Sequence, residues 1–163
     1  SELHAAVGLA QIKKLDTFLE LQKRNNQILR SYIEQAPGVN FRVVPDPEGD
    51  SFSFLSWFLP TQAKTEKVID AFKEAGILAG NFYWFANNWH YIRKWDHLKT
   101  SKSLYALSEA QQNALTGLQT ANFEKSDAIM SRCISTAISL VWTEEQVHEK
   151  GAKFLAVLKA TLS

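Results

Sequence analysis

The sequence predicts an α+β fold in which a small, mostly antiparallel sheet packs against a long N-terminal helix and further helices. Apolar residues recur at helical spacing over residues 2–35, two strand patterns flank a turn-rich segment at 45–50, and period-two alternation returns at 133–142. The order helix, strand, strand, helix, irregular insert, strand, helix is typical of an α+β layer. The chain has 163 residues, a length that predicts a single domain over residues 1–163.

The first predicted element is one continuous helix. Ser1 is a suitable N-cap, and Pro37-Gly38 ends the pattern. Its inward stripe is formed by Ile12, Leu15, Leu19, Leu29 and Ile33.

The first turns of this helix are apolar nearly all round. The residues concerned are Ala5, Ala6, Val7, Leu9 and Ala10. A helix that is apolar on every side is expected to be buried on several sides. Its small residues also permit another backbone to approach closely.

An antiparallel hairpin and a second helix are predicted next. Strands at 39–44 and 51–59 flank the turn-rich segment, and Pro60 ends the second strand. A helix over 63–75 follows, with Gly76 as the residue that ends it.

The C-terminal half contains two capping-box signatures, in which a Ser or Thr is followed three residues later by Gln. Ser108 and Gln111 predict the start of one helix, and Thr143 and Gln146 that of the last. Between them, residues 133–142 predict a strand.

Composition argues against several classes of function. The formal net charge is +1 and basic residues are dispersed, so we expect neither a nucleic-acid nor a membrane partner. Cys133 is the single cysteine, which excludes a disulfide within the chain and favours a reducing, cytoplasmic location. Its place in a strand pattern favours a buried structural residue over a nucleophile. The four histidines lack ligand spacing, so no metal site is expected.

An insert rich in aromatic and amide residues stands out at residues 77–98. Its centre, residues 80–97, reads GNFYWFANNWHYIRKWDH. Polar groups set among aromatic rings suit a sugar-like ligand, because rings cover apolar faces while amides and imidazole bond hydroxyls. The candidate substrate-binding residues are Trp84, Asn88, Trp89, His90 and Arg93.

A packed aromatic cluster is the alternative interpretation of the same insert. We favour it for Phe82, Phe85 and Trp95, whereas Asn88, His90 and Arg93 leave the two interpretations evenly balanced. The guanidinium of Arg93 suits a ligand carboxylate, or it pairs with Asp96.

Residues 1–16, SELHAAVGLAQIKKLD, closely resemble the S-E-L-x-A-A-x-G-L-x-Q-L-x-K-L-D signature of the DegT/DnrJ/EryC1/StrS aminotransferases. Looser resemblances extend along the whole chain. They comprise Pro60 with the helix after it, Gly76-Ile77, His90, Ser126-Asp127 and the final Thr143-Glu144-Glu145-Gln146.

The resemblance implies the C-terminal small domain of a fold type I enzyme that uses pyridoxal phosphate (PLP). Such enzymes are dimers that transfer an amino group from an amino acid, usually glutamate, to a keto or aldehyde sugar. The lysine that bonds to PLP lies before the Ser-Glu-Leu segment, so the resemblance implies no catalytic or cofactor-binding residue here. Since the chain starts at Ser1 rather than Met, we expect an N-terminal PLP-binding large domain before it.

Three functions therefore stay open. The first is a sugar aminotransferase, and the second is a PLP-dependent sugar dehydratase of the same family. The third is a non-enzymatic carbohydrate-binding module. The insert lengthens the stretch before His90 relative to the family pattern, which favours a substrate outside the usual nucleotide sugars. Within the family, the chain resembles the 8-amino-3,8-dideoxy-octulosonate transaminases of lipopolysaccharide synthesis, and this resemblance implies an acidic sugar whose carboxylate Arg93 would bind.

Overall fold

The computed structural model describes residues 1–87 and 90–163, apart from the side chain of Ile92. Over these residues the chain forms seven α-helices and a four-stranded antiparallel sheet, so the predicted α+β class is confirmed. The helices are α1 (Glu2–Ile12), α2 (Leu15–Ile33), α3 (Gln62–Glu74), α4 (Asp96–Lys99), α5 (Glu109–Gln119), α6 (Glu124–Met130) and α7 (Glu144–Leu162). The strands are β1 (Asn40–Phe41), β2 (Phe54–Phe58), β3 (Asn81–Phe82) and β4 (Cys133–Ala137), in the order β1-β2-β4-β3.

The N-terminal helix is broken, so the prediction of one continuous helix was wrong. Lys13 ends α1, and Lys14 opens α2 with φ −102° and ψ 0°, outside the helical range. A break of two residues barely disturbs the apolar spacing, and periodicity alone therefore did not reveal it.

The two halves of the predicted helix have different surroundings. Leu29 and Ile33 of α2 are fully buried. No residue of α1 is buried, and Leu3, Val7 and Ile12 are 74%, 54% and 64% exposed. The expected burial of α1 is therefore not found among the described residues.

The predicted hairpin is confirmed with shorter strands. β1 pairs with β2 in the register Asn40↔Phe58 and Phe41↔Trp57. The turn between them is held by Asp46, whose Oδ1 accepts hydrogen bonds from the amides of Glu48 and Gly49.

The helix ends follow the local signals. Gly76, after α3, has φ +68°, a left-handed conformation that glycine adopts without strain. Both capping boxes form, at Ser108 with Gln111 and at Thr143 with Gln146.

The core lies on one face of the sheet, beneath α2, α3 and α7. Trp57 on β2, Phe72 on α3 and Phe154 on α7 are fully buried. The ring centroids of Trp57 and Phe72 are 6.2 Å apart, and those of Phe72 and Phe154 are 4.8 Å apart. This continuous aromatic contact joins both helices to the sheet.

β4 is shorter than the predicted strand 133–142, since it ends at Ala137. Cys133 at its start is buried, and burial raises the pKa of its thiol. A protonated, inaccessible thiol is a poor nucleophile, which agrees with the structural role predicted for Cys133.

Candidate functional site

The insert is carried by the face of the sheet opposite the helices. Phe82 pairs with Ser135, and Ser135 pairs with Ser56, which places all three side chains on the same face. The hydroxyls of Ser56 and Ser135 are 3.0 Å apart. The ring of Phe54, also on this face, lies 6.1 Å from that of Phe82.

A chain of buried hydrogen bonds fixes the start of the insert to the core. Trp57 Nε1 donates to Thr136 Oγ1 at 3.1 Å, and Thr136 Oγ1 donates to Asn81 Oδ1 at 2.6 Å. Asn81 Nδ2 donates to the carbonyl of Ile77 at 2.8 Å. The position of Phe82, next along the chain, is therefore set by the sheet and the core together.

Two of the predicted substrate-binding residues come together on Phe82. The ring of Trp84 stacks on that of Phe82, with centroids 4.7 Å apart and planes within 4° of parallel. His90 meets Trp84 in a T-shaped contact, also at 4.7 Å. Trp84 is half-buried and His90 is exposed, so an indole and an imidazole are presented side by side at the surface.

Arg93 pairs with Asp127 of α6 and not with Asp96, which was one of the two alternatives left open by the sequence. Arg93 Nε donates to Asp127 Oδ1 at 2.9 Å, and Arg93 Nη2 lies 2.5 Å from Asp127 Oδ2. This two-point geometry is the strong form of an arginine–carboxylate pair. The pair uses two of the five guanidinium N–H donors, and the side chain of Arg93 remains 41% exposed.

Tyr91 joins the same carboxylate. The hydroxyl of Tyr91 donates to Asp127 Oδ1, and the residue is buried. Burial, followed by the hydrogen bond and charge of Asp127, raises the pKa of Tyr91 to about 12. The ammonium of Lys99 donates to the carbonyl of Arg93, and Tyr83 Oη donates to the carbonyl of Ser131 at 2.9 Å.

The other residues of the insert that the sequence singled out are Asn88, Trp89, Phe85 and Trp95. Asn88 and Trp89 lie outside the described residues. Phe85 packs 5.9 Å from Tyr91, and the ring of Trp95 lies 6.3 Å from that of His97, which agrees with the structural role predicted for both.

The sequence did not single out Asn81, Tyr91 or Asp127 as supports of the insert. Asp127 was named only as part of the looser resemblance to the family, and Tyr91 was one of many aromatic residues in the insert. Their partners are distant in the chain, since Asp127 lies 34 positions after Arg93, so no local pattern relates them.

Lys150, whose surroundings lower its pKa, does not fit the role of a lysine that bonds to PLP at the insert. Burial lowers the pKa of Lys150, and repulsion from Lys153 adds to the shift. A lowered pKa is what an amine nucleophile needs. The Lys150 ammonium, however, lies over the rings of Trp142 and Phe154, at 5.0 and 5.4 Å from their centroids. Phe154 belongs to the helix-covered core, on the opposite side of the sheet from the insert.

A cleft of about 520 Å³ lies apart from the insert, between α2 and the β1–β2 hairpin. Arg42 in its wall is paired with Asp50 at 3.2 Å, and Arg30 lies over the ring of Phe41 at 4.1 Å. Both cations are thus engaged within the chain, and we assign no ligand to this cleft.

Across 1–87 and 90–163, no three acidic, cysteine or histidine side chains gather in a way that would hold a metal ion. No helix within those ranges has the length and apolar character needed to cross a membrane.

Comparison with known proteins gives two findings. Residues 1–118 match the DegT/DnrJ/EryC1/StrS aminotransferase family. The fold is similar to that in a crystal structure of 3-amino-5-hydroxybenzoic acid (AHBA) synthase, with a TM-score of 0.59 and 19% identity. The similarity covers 93% of this chain and 37% of that synthase, so the chain spans little more than a third of its length.

Proposed function

Because the chain belongs to the DegT/DnrJ/EryC1/StrS aminotransferase family, we propose that it forms the C-terminal part of a PLP-dependent sugar aminotransferase. The enzyme moves an amino group from an amino acid, glutamate, to a keto or aldehyde sugar. The family match carries this proposal, and the 37% coverage of AHBA synthase supports a longer enzyme. When bound, PLP supplies the electron sink for amino transfer. We propose that an N-terminal large domain binds the PLP.

The aromatic insert forms the sugar end of the proposed site. Trp84 offers a flat apolar surface to a sugar ring, and the exposed imidazole of His90 hydrogen-bonds its hydroxyls. Arg93 supplies a cation beside them. Asn88 and Trp89 complete the proposed set.

An acidic sugar suits this set best. The guanidinium of Arg93 retains exposed surface after pairing with Asp127, so it is available to a substrate carboxylate. We therefore propose 8-oxo-3,8-dideoxy-octulosonate, a precursor of lipopolysaccharide sugar, as the amino acceptor.

The exposed helix α1 supports the proposed assembly. Its apolar residues Leu3, Val7, Leu9 and Ile12 are 74%, 54%, 61% and 64% exposed. In the proposal they pack against the N-terminal large domain of a cytoplasmic homodimer whose active sites lie at the subunit interface. A surface of this kind is expected at an obligate domain contact.

The test is a two-stage assay on the whole enzyme. Glutamate is added first, and amination of the cofactor is followed by absorbance. Either 8-oxo-3,8-dideoxy-octulosonate or a nucleotide-linked keto sugar is then added. Amino transfer to the free acidic sugar alone is the expected result.

Each other result has a distinct meaning. Transfer to the nucleotide sugar alone rejects the octulosonate assignment. Loss of water from the sugar without transfer indicates the dehydratase, which carries histidine in place of the cofactor lysine. Inactivity with both amino acid and sugars rejects the enzymatic proposal.

A further inference from the structure

The carboxylate of Asp127 binds two residues of the insert. Asp127 on α6 accepts from the hydroxyl of Tyr91 and forms the two-point pair with Arg93. We call these three residues the carboxylate lock. His90 directly precedes Tyr91 in the chain.

The lock is placed to act on the insert alone. It lies outside the core cluster, which contains none of its members. Tyr91 is 6% exposed overall, so its bond to Asp127 is shielded from water, whereas in the ion pair the side chains of Asp127 and Arg93 are 22% and 41% exposed. Charge-assisted bonds in such surroundings are stronger than neutral ones.

The chain geometry carries this restraint to His90. Consecutive Cα atoms lie about 3.8 Å apart across a trans peptide, so fixing Tyr91 limits where His90 can be. His90 in turn contacts Trp84, whose ring also stacks on that of the sheet residue Phe82. The indole–imidazole pair is thus held from the sheet on one side and from the lock on the other.

We propose that Asp127 is a positioning residue for sugar recognition, acting through Tyr91 and Arg93 to hold His90 against Trp84. This inference rests on the proposed function of the insert as the sugar end of the site. Asp127 itself need not touch the sugar. Its carboxylate also orients the guanidinium of Arg93, which leaves the remaining N–H donors in a defined direction.

The experiment uses the whole enzyme with Asp127→Asn and Tyr91→Phe. Each change keeps nearly the same volume and removes the charge or the hydroxyl. Asp50→Asn is the matched control, because it makes the same chemical change in the Arg42–Asp50 pair of the hairpin.

The first measurement is hydrogen–deuterium exchange without sugar. Peptides covering residues 83–100 are expected to exchange about tenfold faster in Asp127→Asn, since a charge-assisted bond restrains local opening. Peptides from β4 and α7 should match the parent enzyme, and Asp50→Asn should leave 83–100 unchanged.

The second measurement separates the two half-reactions. Asp127→Asn should lower kcat/KM for the sugar by about ten- to a hundredfold, the range expected when a charged bond is lost. The half-reaction with glutamate should stay within about twofold, because the donor step does not use the sugar contacts.

Unchanged exchange over 83–100 in Asp127→Asn would overturn the lock. Faster exchange with an intact sugar half-reaction, or equal loss in both half-reactions, would overturn the positioning role. An inactive parent enzyme would count against the proposed function instead, and the exchange comparison would still decide whether the lock exists.

Discussion

The ring of Tyr32 on α2 packs directly on the backbone of Gly151 on α7, so that a β-carbon built on Gly151 would lie 2.3 Å from Tyr32 Cδ2. Tyr32 Oη and His148 Nδ1 are 3.0 Å apart, which fixes the ring from its other end. The close approach of α2 and α7 therefore depends on the missing side chain at position 151.

Gly151→Ala should destabilise the protein. Overpacking costs about 1–3 kcal/mol, while the higher helix propensity of alanine offsets about 1 kcal/mol of it. Gly117→Ala in α5 is the control, because nothing lies within 4 Å of a β-carbon there. Thermal melts should show a lower Tm for Gly151→Ala and an equal or higher Tm for Gly117→Ala. Equal melts for the two variants would refute the packing argument.

The substitution Thr136→Val should lower the free energy of unfolding by more than its small change in volume suggests. The change conserves volume but removes the hydroxyl that accepts from Trp57 and donates to Asn81. Each buried partner left unpaired costs about 1–3 kcal/mol. Thr116→Val, on the exposed side of α5, removes a hydroxyl that donates to the carbonyl of Gln112 and should change stability by less than about 0.5 kcal/mol. Denaturant titration of both variants checks this, and similar midpoints would contradict it.

The elements predicted from the sequence are those fixed by local chemistry. Both capping boxes involve a residue and its third neighbour, and the stop at Gly76 needs one left-handed residue, so short windows contain the whole signal. The hairpin was likewise visible because turn formers cluster at 45–50.

The ion pair of Arg93 and the strand β3 were not predictable, because each depends on residues that are distant in the chain. The partner of Arg93 is Asp127 rather than the near neighbour Asp96, and that choice follows from how α6 packs beside the insert. β3 has only two residues, and it is a strand because Asn81 and Phe82 pair with β4. The residues that support the insert were thus found only in three dimensions, while its role as a substrate site stays a prediction.

Alkaline pH should destabilise the fold through two phenols, the buried Tyr91 and the half-buried Tyr83. The pKa of Tyr91 rises from 10.0 to about 12, and so does that of Tyr83, where burial acts first and the charge of Glu66 second. Between these values the folded state keeps a proton that the unfolded chain has lost. The stability contribution is therefore complete below pH 10 and is lost as pH rises through about 12.

The measurement is the slope of Tm against pH over this interval. Tyr91→Phe and Tyr83→Phe should each make the slope shallower, whatever their effect on Tm at neutral pH. Tyr105→Phe is the control, since Tyr105 is 84% exposed. Parallel slopes in all variants would argue against the raised pKa values.

Ala6→Leu tests the proposed role of α1. In the whole enzyme the larger side chain should overpack the contact with the large domain and cost about 1–3 kcal/mol. In the 163-residue chain expressed alone the same change should be nearly neutral, because α1 has no buried residue there. Melting temperature and dimer content are measured in both forms. An unchanged melt and dimer in the whole enzyme would show that this surface is not an interface.

His90→Ala tests whether the insert meets the sugar. His90 is exposed and contacts Trp84, so its removal should leave the core intact. A lost neutral hydrogen bond should lower kcat/KM for the sugar about two- to tenfold. The half-reaction with glutamate should change by less than about twofold.

His97→Ala is the control for His90→Ala, because it removes an exposed imidazole from the same insert outside the proposed substrate-binding set. Single-turnover absorbance of the cofactor measures each half-reaction. If His90 is purely structural, both halves should decline together with the melting temperature. If it has neither role, the variant should behave like His97→Ala.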